Sequence, residues 1–449
     1  MDRTALTRHP LAIAGALLTT VSAAAFIILI VAELAGLFEN PYAGLLILVV
    51  IPAFFVIGLL LIPLGMWLEW RARRLHPDAV RHWPVVDFGK STARRWTVAV
   101  VALTAVNLII VSIAAAGTVH WMETPSFCGQ TCHTPMEPQF TAWQAAPHSE
   151  VRCVDCHVGE GARALVRSKL AGARQLYHVI TAQVPKPIPG VADMRPALET
   201  CGNCHWAGRN LGEPMRMKRE YADDEASSET VTNLQLMIGS PSQKTSTGRA
   251  IHWHADPNVH IEFVSTDAER QTIPYVRLVA SDGTVKEFKT EGTTDAEIAQ
   301  GERRVMDCID CHNTPAHRIA PTPEQAVDRA IEAGEISRSL PFVRREGIRL
   351  VKAEYPDKDN GLAAIESELK TFYTSKAAVD QRELTRAIGS LQNVYRRNVF
   401  PSMKVTFGVY PDNIGHITSN GCFRCHDDGH TAADGSSISG DCEYCHKME

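Results

Sequence analysis

The twelve cysteines of this 449-residue chain impose the strongest constraint on its fold, because they form six close pairs. A histidine directly follows the second cysteine each time, and only the first pair has an extra residue between its cysteines. The pairs are Cys128/Cys132, Cys153/Cys156, Cys201/Cys204, Cys308/Cys311, Cys422/Cys425 and Cys442/Cys445, followed by His133, His157, His205, His312, His426 and His446. In a Cys-x-x-Cys-His motif both thiols attach a porphyrin and the histidine ligates its iron. The sequence therefore predicts six haems c.

Two other readings of the cysteine pairs leave the histidines unexplained. Disulfides between such close partners would be strained, and three zinc sites of four cysteines each would suit the spacing. Neither requires a histidine after every second cysteine. Histidine makes up only 18 of the 449 residues, so six such placements by chance can be discounted.

The first 120 residues predict a membrane anchor. Three stretches carry no charged residue: Leu11–Ala32, Tyr42–Leu68 and Thr97–Val119. Each is long enough for a transmembrane helix, which needs about 20 apolar residues. We therefore expect three membrane spans.

Basic residues predict the orientation of these spans. The segment between Leu68 and Trp96 carries seven of them, Arg71, Arg73, Arg74, Arg81, Lys90, Arg94 and Arg95, whereas residues 33–41 carry none. With Arg3 and Arg8, the positive-inside rule places this segment and the N-terminus in the cytoplasm. The haem motifs then lie on the outer side of the membrane, where paired thiols meet oxidising conditions.

The predicted fold is a membrane-anchored multihaem cytochrome c: three transmembrane helices plus a haem-packed, mostly α/irregular periplasmic domain with a small β insertion. We expect a three-helix anchor at 1–121, a three-haem region at 122–205, a β-containing insertion at 206–300, a fourth haem with helices at 301–400 and a two-haem tail at 401–449. With so few residues for each haem, we expect the porphyrins to supply much of the apolar core. The tail should have no core beyond them.

Local patterns predict elements in the second half of the chain. Val259–Val264, Thr272–Val279 and Thr284–Thr290 are rich in β-branched and aromatic residues, and Asp282-Gly283 predicts a hairpin turn between the last two. A helix should begin after Thr322 and end at Gly334. Further helices are expected at 361–373 and 379–397.

Further histidines are candidates for the second axial ligand of each iron. Nine lie at or beyond the last span, more than six irons can use: His120, His148, His178, His252, His254, His260, His317, His416 and His430. Of these, His148, His317, His416 and His430 stand close to haem motifs and are expected ligands. At least one of His252 and His254 should also ligate. Whether His178 and His260 ligate an iron stays open, and His120 is expected at the membrane interface.

One stretch carries a family resemblance. An anchor followed by FCGQTCHTPMEPQFTAWQAAPHSEVRCVDCH resembles the NapC/NirT family of membrane-bound quinol dehydrogenases, which includes NrfH-like proteins. The chain is most similar to the larger, ImcH-type inner-membrane cytochromes, through RPALETCGNCHW, IHWH and MDCIDCHNTPAHRIAP. The resemblance implies oxidation of menaquinol at the outer membrane face and transfer of electrons to a periplasmic acceptor. It also implies contact with the lipid bilayer and the menaquinone pool.

The resemblance also implies roles for particular residues. Met136 matches a methionine that ligates the first haem, with His133 as its rival. His148 matches a distal ligand of another haem. Lys169 occupies the place of a lysine that contacts the quinol. The nearby carboxylate of the family is missing, and Gln175 stands in that region with hydrogen-bonding capacity but no ability to accept a proton.

Three functions remain open at this point. The first is a quinol oxidoreductase, and the second is an electron-conduit subunit of a larger respiratory membrane complex without its own quinol site. The third is a reductase of a small anion at an open haem, although the histidine supply allows every haem to be filled. Nucleic-acid binding has no support, because the clustered basic residues lie beside the predicted membrane spans.

Overall fold

The computed structural model of the chain describes residues 9–34, 50–75, 89–131, 133–159, 161–191, 194–205, 212–240, 244–245, 248–374, 376 and 379–448. Predictions that involve Cys132, Arg3, Arg8, Arg81 or the first eight residues of the second apolar stretch fall partly outside these residues. The chain divides into two compact units, Met1–Thr131 and Cys132–Glu449.

The first unit is helical. Its elements are α1 (Pro10–Leu34), α2 (Ile51–Leu75), α3 (Ser91–Met122) and a π-helical turn at Phe127–Thr131. Among the residues described, the stretch Ile51–Arg71 is long and apolar enough to cross a membrane by length and composition, and Pro10–Phe26 is a shorter apolar helix. The three-span anchor stays a prediction.

Helices α1 and α2 pack closely because glycines lie where their backbones meet. A Cβ atom added at Gly15 would lie 2.7 Å from the carbonyl oxygen of Gly58. A Cβ atom added at Gly65 would lie 2.6 Å from the backbone nitrogen of Ala12. Small residues at such contacts are typical of helix pairs in membranes, where close packing replaces the hydrophobic driving force.

The second unit begins with short helices and contains two main sheets. The helices before the first sheet are α4 (His133–Gln144), α5 (Cys153–His157), α6 (Ala162–Ile180) and α7 (Ala197–Thr200). The first sheet has the order β1-β2-β10, with β1 (Met215–Tyr221), β2 (Glu229–Leu236) and β10 (His446–Met448) all antiparallel. A two-stranded ribbon of β3 (Lys244–Thr245) and β4 (Gly248–Arg249) follows the hairpin of β1 and β2.

The second sheet has five antiparallel strands in the order β8-β5-β6-β7-β9. They are β5 (His260–Ser265), β6 (Tyr275–Val279), β7 (Val285–Lys289), β8 (Glu302–Val305) and β9 (Thr431–Ala432), with α8 (Asp295–Gln300) between β7 and β8. The predicted hairpin is confirmed: Val279 pairs with Val285, and Gly283 in the turn has a φ of 83°. Glycine suits that turn because a positive φ costs it little.

The tail differs from its prediction as a segment without an apolar core. Its strand β9 extends the second sheet beside β7, and β10 extends the first sheet beside β2. Ala432 and Ile438 pack against the apolar face of the second sheet, around the buried Phe263 and Phe288. The tail is therefore part of both sheets.

Helices form most of the region between the fourth and fifth motifs. They are α9 (Cys308–Cys311), α10 (Pro323–Glu332), α11 (Val343–Lys352), α12 (Lys358–Thr374) and α13 (Gln381–Asn398). The predicted start of α10 is confirmed, because the Thr322 hydroxyl accepts a hydrogen bond from the Gln325 N–H over 3.1 Å. The predicted end is confirmed as well, with Gly334 at a φ of 70°.

These four helices, α10 to α13, build an apolar core of their own. Val327, Leu350, Leu369, Leu391 and Tyr395 have no exposed surface and belong to one cluster. No motif cysteine and no candidate axial ligand belongs to it. The prediction that porphyrins supply much of the core therefore does not apply to this region, whose amphipathic helices bury their own apolar faces.

We predict that Leu391→Ala weakens this helical core by about 2–5 kcal/mol, because it leaves a cavity where Leu391 packs over Gly347. Hydrogen exchange measured by mass spectrometry should show correspondingly faster exchange in α10 to α13. Ser367→Ala, on the exposed side of α12, is the matched control and should change exchange little. Equal exchange in the two variants would contradict the described packing.

Candidate functional site

Five of the six motifs form short helical turns. The turns are Cys153–His157, Cys201–Asn203, Cys308–Cys311, Gly421–Arg424 and Cys442–Tyr444. The backbone N–H of His205 donates to the Cys201 carbonyl over 2.7 Å, and that of His312 donates to the Cys308 carbonyl over 2.7 Å. Residues three apart on such a turn are neighbours on one side. Both thiols of a motif can therefore reach one porphyrin.

No disulfide joins the cysteines that the structure describes. Burial raises the pKa of Cys311 to about 11 and that of Cys425 to about 12. Across the described ranges, no group of three or more His, Cys, Asp or Glu side chains is arranged to hold a metal ion.

Cys204, the second cysteine of the third motif, is exposed, as Cys442 is, whereas Cys201 of the same motif is half-buried. Cys204 directly follows the turn Cys201–Asn203, and its backbone N–H donates to the Cys201 carbonyl over 3.1 Å. Its role in haem attachment stays a prediction.

Cys311 is also exposed as a residue, yet the protein atoms around its thiol are dense enough to raise the thiol pKa. Cys204 likewise affects the pKa of a cysteine in the second motif. After burial and Cys201, it is among the neighbours that raise the pKa of Cys156. An exposed motif cysteine can thus lie close to the adjacent motif.

Four motif histidines each face a histidine from elsewhere in the chain. The distances between ring centroids are 5.8 Å for His157–His317, 5.9 Å for His148–His205, 5.8 Å for His254–His426 and 6.1 Å for His416–His446. Imidazole–metal bonds are about 2 Å long, so two rings that ligate one ion from opposite sides have centroids roughly 6 Å apart. The four pairs therefore fit axial ligation of a haem iron.

Hydrogen bonds orient three of these rings for ligation through Nε2. The Nδ1 atom of His148 lies 3.1 Å from the Pro315 carbonyl oxygen, that of His254 lies 2.7 Å from Ile251 O, and that of His426 lies 2.9 Å from Ser439 O. A carbonyl only accepts, so each Nδ1 donates and each Nε2 keeps its lone pair. Histidine ligands of metals commonly have this second interaction.

Desolvation by the surrounding protein lowers the pKa of several of the paired rings, which favours the neutral form that ligation requires. It lowers the pKa of His157 and His254, and with the neighbouring His157 it lowers the pKa of His317 to about 4. The pKa of His312 is also lowered, mainly by burial and then by the charge of His252. His252 and His205 are thus both histidine neighbours of the fourth motif, and His252 has the larger effect.

His430 lies in a different environment from the paired histidines. Its side chain is buried, with Nδ1 2.8 Å from Asp427 Oδ1 and Nε2 2.6 Å from the Ile273 carbonyl oxygen. Each ring nitrogen thus faces a protein oxygen, and in the described structure His430 faces no other histidine ring. Its role as an iron ligand stays a prediction.

The remaining histidines have no partner histidine ring in the described structure. His260 is half-exposed on β5 and lies 3.4 Å from Glu262. His120 is in the last turn of α3. His178, on α6, has a buried Nδ1 without a hydrogen-bond partner in the part of the chain that the structure describes. It therefore stays open as a ligand.

The first motif is only partly described. Cys128 lies in the π-helical turn, Cys132 is outside the described residues, and His133 begins α4. Met136 is half-buried on α4. The choice between His133 and Met136 as a ligand of the first haem stays a prediction.

Helix α6 carries both residues predicted to contact quinol. Lys169 is half-buried and Gln175 is exposed. Residues six apart on an α-helix point roughly 120° apart. The two side chains therefore do not share one face of the helix.

Motifs two to six lie next to one another in chain order. Beyond burial, which is the main cause, Cys201 raises the pKa of both Cys156 and Cys308. Besides burial, Cys422 also raises the pKa of Cys311 and that of Cys445. At Cys311 the positive charge of Arg424 has the opposite effect and lowers the pKa. Such effects require proximity, so consecutive motifs are neighbours.

Backbone and side-chain contacts join the third motif to the fourth and the fourth to the fifth. Asp307, which precedes motif four, accepts a hydrogen bond from the Ala197 N–H over 2.6 Å. Arg424, inside motif five, donates to the Asp310 carbonyl over 2.6 Å, and Asn413 donates to the same oxygen over 3.0 Å. The sequence analysis did not single out Asp307, Arg424 or Asn413. The positions of Asp307 beside a motif and of Arg424 inside one could have indicated a role in joining motifs.

Two comparisons with known proteins give matches. Residues 90–187 match the NapC/NirT cytochrome c family, N-terminal region. The cytochrome c-type protein ImcH of Geobacter sulfurreducens is 36% identical over 448 residues, which cover 98% of this chain and 88% of the relative. No solved structure matches the chain.

We predict that His254→Ala leaves one iron without its second protein ligand and produces a high-spin signal in electron paramagnetic resonance spectra of the oxidised protein. His260→Ala, at the half-exposed neighbour of Glu262, should leave the spectrum unchanged. His430→Ala should also keep all irons low-spin, because both nitrogens of that ring face protein oxygens. A high-spin signal in His430→Ala and none in His254→Ala would reverse the assignment.

Proposed function

Because the chain belongs to the NapC/NirT family of c-type cytochromes, whose members are membrane-anchored electron-transfer proteins with covalently bound haem c, we propose that it oxidises menaquinol and delivers the electrons to a periplasmic acceptor. Six haems c, bound at the six motifs, would supply one-electron redox chemistry. The three apolar stretches would anchor the chain in the bilayer of the inner membrane, with the N-terminus in the cytoplasm and the motifs in the periplasm.

The set of histidine pairs is the observation that carries this proposal. We assign His317, His148, His254 and His416 as partners of His157, His205, His426 and His446 on the basis of the centroid distances. His252 is assigned to His312 because it is the histidine that acts on it most strongly. His430 is left out of the ligand set, since its ring nitrogens face oxygens of Asp427 and Ile273.

The order of the motifs supports a directional role. Motifs two to six are neighbours in chain order, and the first motif begins nine residues after Val119, where the last apolar stretch ends. The quinol therefore meets the chain near the first motif. A periplasmic acceptor, or a subunit of a respiratory complex, would dock near the sixth motif.

Lys169 is the residue that we propose to hold the quinol. A lysine ammonium donates hydrogen bonds and does not accept them, so it would orient a quinol oxygen and stabilise negative charge on it. Gln175 lies on another side of α6 from Lys169, which leaves Lys169 as the stronger candidate of the two.

We predict that Lys169→Ala slows reduction of the protein by a menaquinol analogue. Loss of a charged hydrogen bond, about 1.5–3 kcal/mol, corresponds to a rate lower by about 10–100-fold. Anaerobic mixing, followed through the haem absorption bands, measures this rate. Lys352→Ala, at an exposed lysine of α11, is the matched control, and dithionite should reduce all proteins equally.

If menaquinol failed to reduce the unmodified protein while dithionite succeeded, the quinol-oxidising function would be excluded. The chain would then act as a conduit fed by another membrane subunit. If menaquinol reduced both lysine variants equally fast, the function would stand and the role of Lys169 would fall.

A further inference from the structure

Helix α6 exposes a continuous apolar stripe. Val166, Leu170, Tyr177 and Ile180 are 58%, 69%, 59% and 74% exposed. At 3.6 residues per turn, these positions and Ala173 fall within an arc of about 80°, and the stripe is about 21 Å long. Exposure of four large apolar side chains in one row is unusual for a surface that meets only water.

Large apolar residues outside the stripe are less exposed. Among the described side chains of α6, Leu176 and Val179 lie outside the stripe and are only half-exposed, whereas the four large side chains of the stripe are exposed. The exposed apolar surface of α6 is therefore concentrated in the stripe.

Basic residues lie along both borders of the stripe. By helical geometry, Arg167 and Arg174 lie on one border and Lys169 lies on the other. From Ala162 to Ile180 the sequence contains four basic residues and no acidic one. An apolar face with cationic borders and a tyrosine is typical of helices that lie in a membrane interface.

We propose that α6 lies in the plane of the membrane interface, with Val166, Leu170, Tyr177 and Ile180 among the acyl chains and its basic residues at anionic lipid headgroups. The occupant of the stripe is thus lipid. The charge favours lipid over a protein partner, because positive charge on both borders matches a surface of phosphates on either side of the helix. The inference uses the membrane anchor of the family and is independent of the role proposed for Lys169.

This position would hold the second unit against the bilayer by a second contact besides the anchor. A helix in the interface fixes the height of the adjacent polypeptide relative to the headgroups. Half-buried Lys169, at the border of the stripe, would then lie at the depth where the polar head of a quinol reaches the water.

Photo-crosslinking of the full-length holoprotein in nanodiscs tests this inference. The photoreactive residue p-benzoylphenylalanine replaces Tyr177 in one variant, Leu170 in a second and Gln175 in a control. Gln175 is exposed but lies about 160° around the helix from Tyr177. The nanodiscs contain phosphatidylglycerol and phosphatidylethanolamine, and adducts are identified by mass spectrometry. An unchanged haem spectrum shows that each variant is folded.

Lipid adducts at positions 177 and 170, in a yield roughly tenfold or more above that at position 175, are the expected result for a helix that buries one face in the bilayer. Three results would overturn the inference: no adduct at either stripe position, equal lipid adducts at all three positions, or adducts of the stripe with protein or haem instead of lipid. Failure of menaquinol oxidation would leave this outcome unaffected, because the crosslink needs no turnover.

Discussion

The pairing of four motif histidines with histidines from other parts of the chain is the interaction on which the haem-binding unit depends. His157 faces His317, which follows motif four, and His426 faces His254, which precedes the second sheet. A metal ion held between two such residues closes a long loop of chain, and the entropic benefit of such closure grows with loop length. Each assigned pair therefore specifies a ligand set and ties two segments together.

Contacts within the polypeptide support the same arrangement. Arg424 of motif five binds the carbonyl oxygen of Asp310 in motif four, and strands β9 and β10 of the tail complete two sheets that begin more than a hundred residues earlier. Because the tail is held at both sheets, the fifth and sixth motifs are placed by hydrogen-bond ladders. The helical core around Leu391 and Tyr395 gives this unit a part that needs no cofactor for its packing.

Sequence patterns predicted local features better than long-range ones. The helix cap at Thr322 and the hairpin turn at Gly283 each depend on a few consecutive residues, so the sequence was enough to predict them. Helix α11 was missed because arginines interrupt its apolar positions, although Val343, Gly347, Leu350 and Val351 recur at helical spacing and are buried. The tail strands are short, and a two- or three-residue strand has no periodicity of its own. The difference between His254 and His430 depends on which groups lie opposite their ring nitrogens, and spacing along the chain does not contain that information.

Near-infrared magnetic circular dichroism of the oxidised holoprotein tests the central claim most directly, because it distinguishes bis-histidine from histidine–methionine ligation and counts low-spin irons. The account predicts bis-histidine ligation at motifs two to six, so that at most one iron, that of the first motif, has another ligand set. A spectrum with methionine ligation or high-spin iron at more than one site would contradict the histidine pairs.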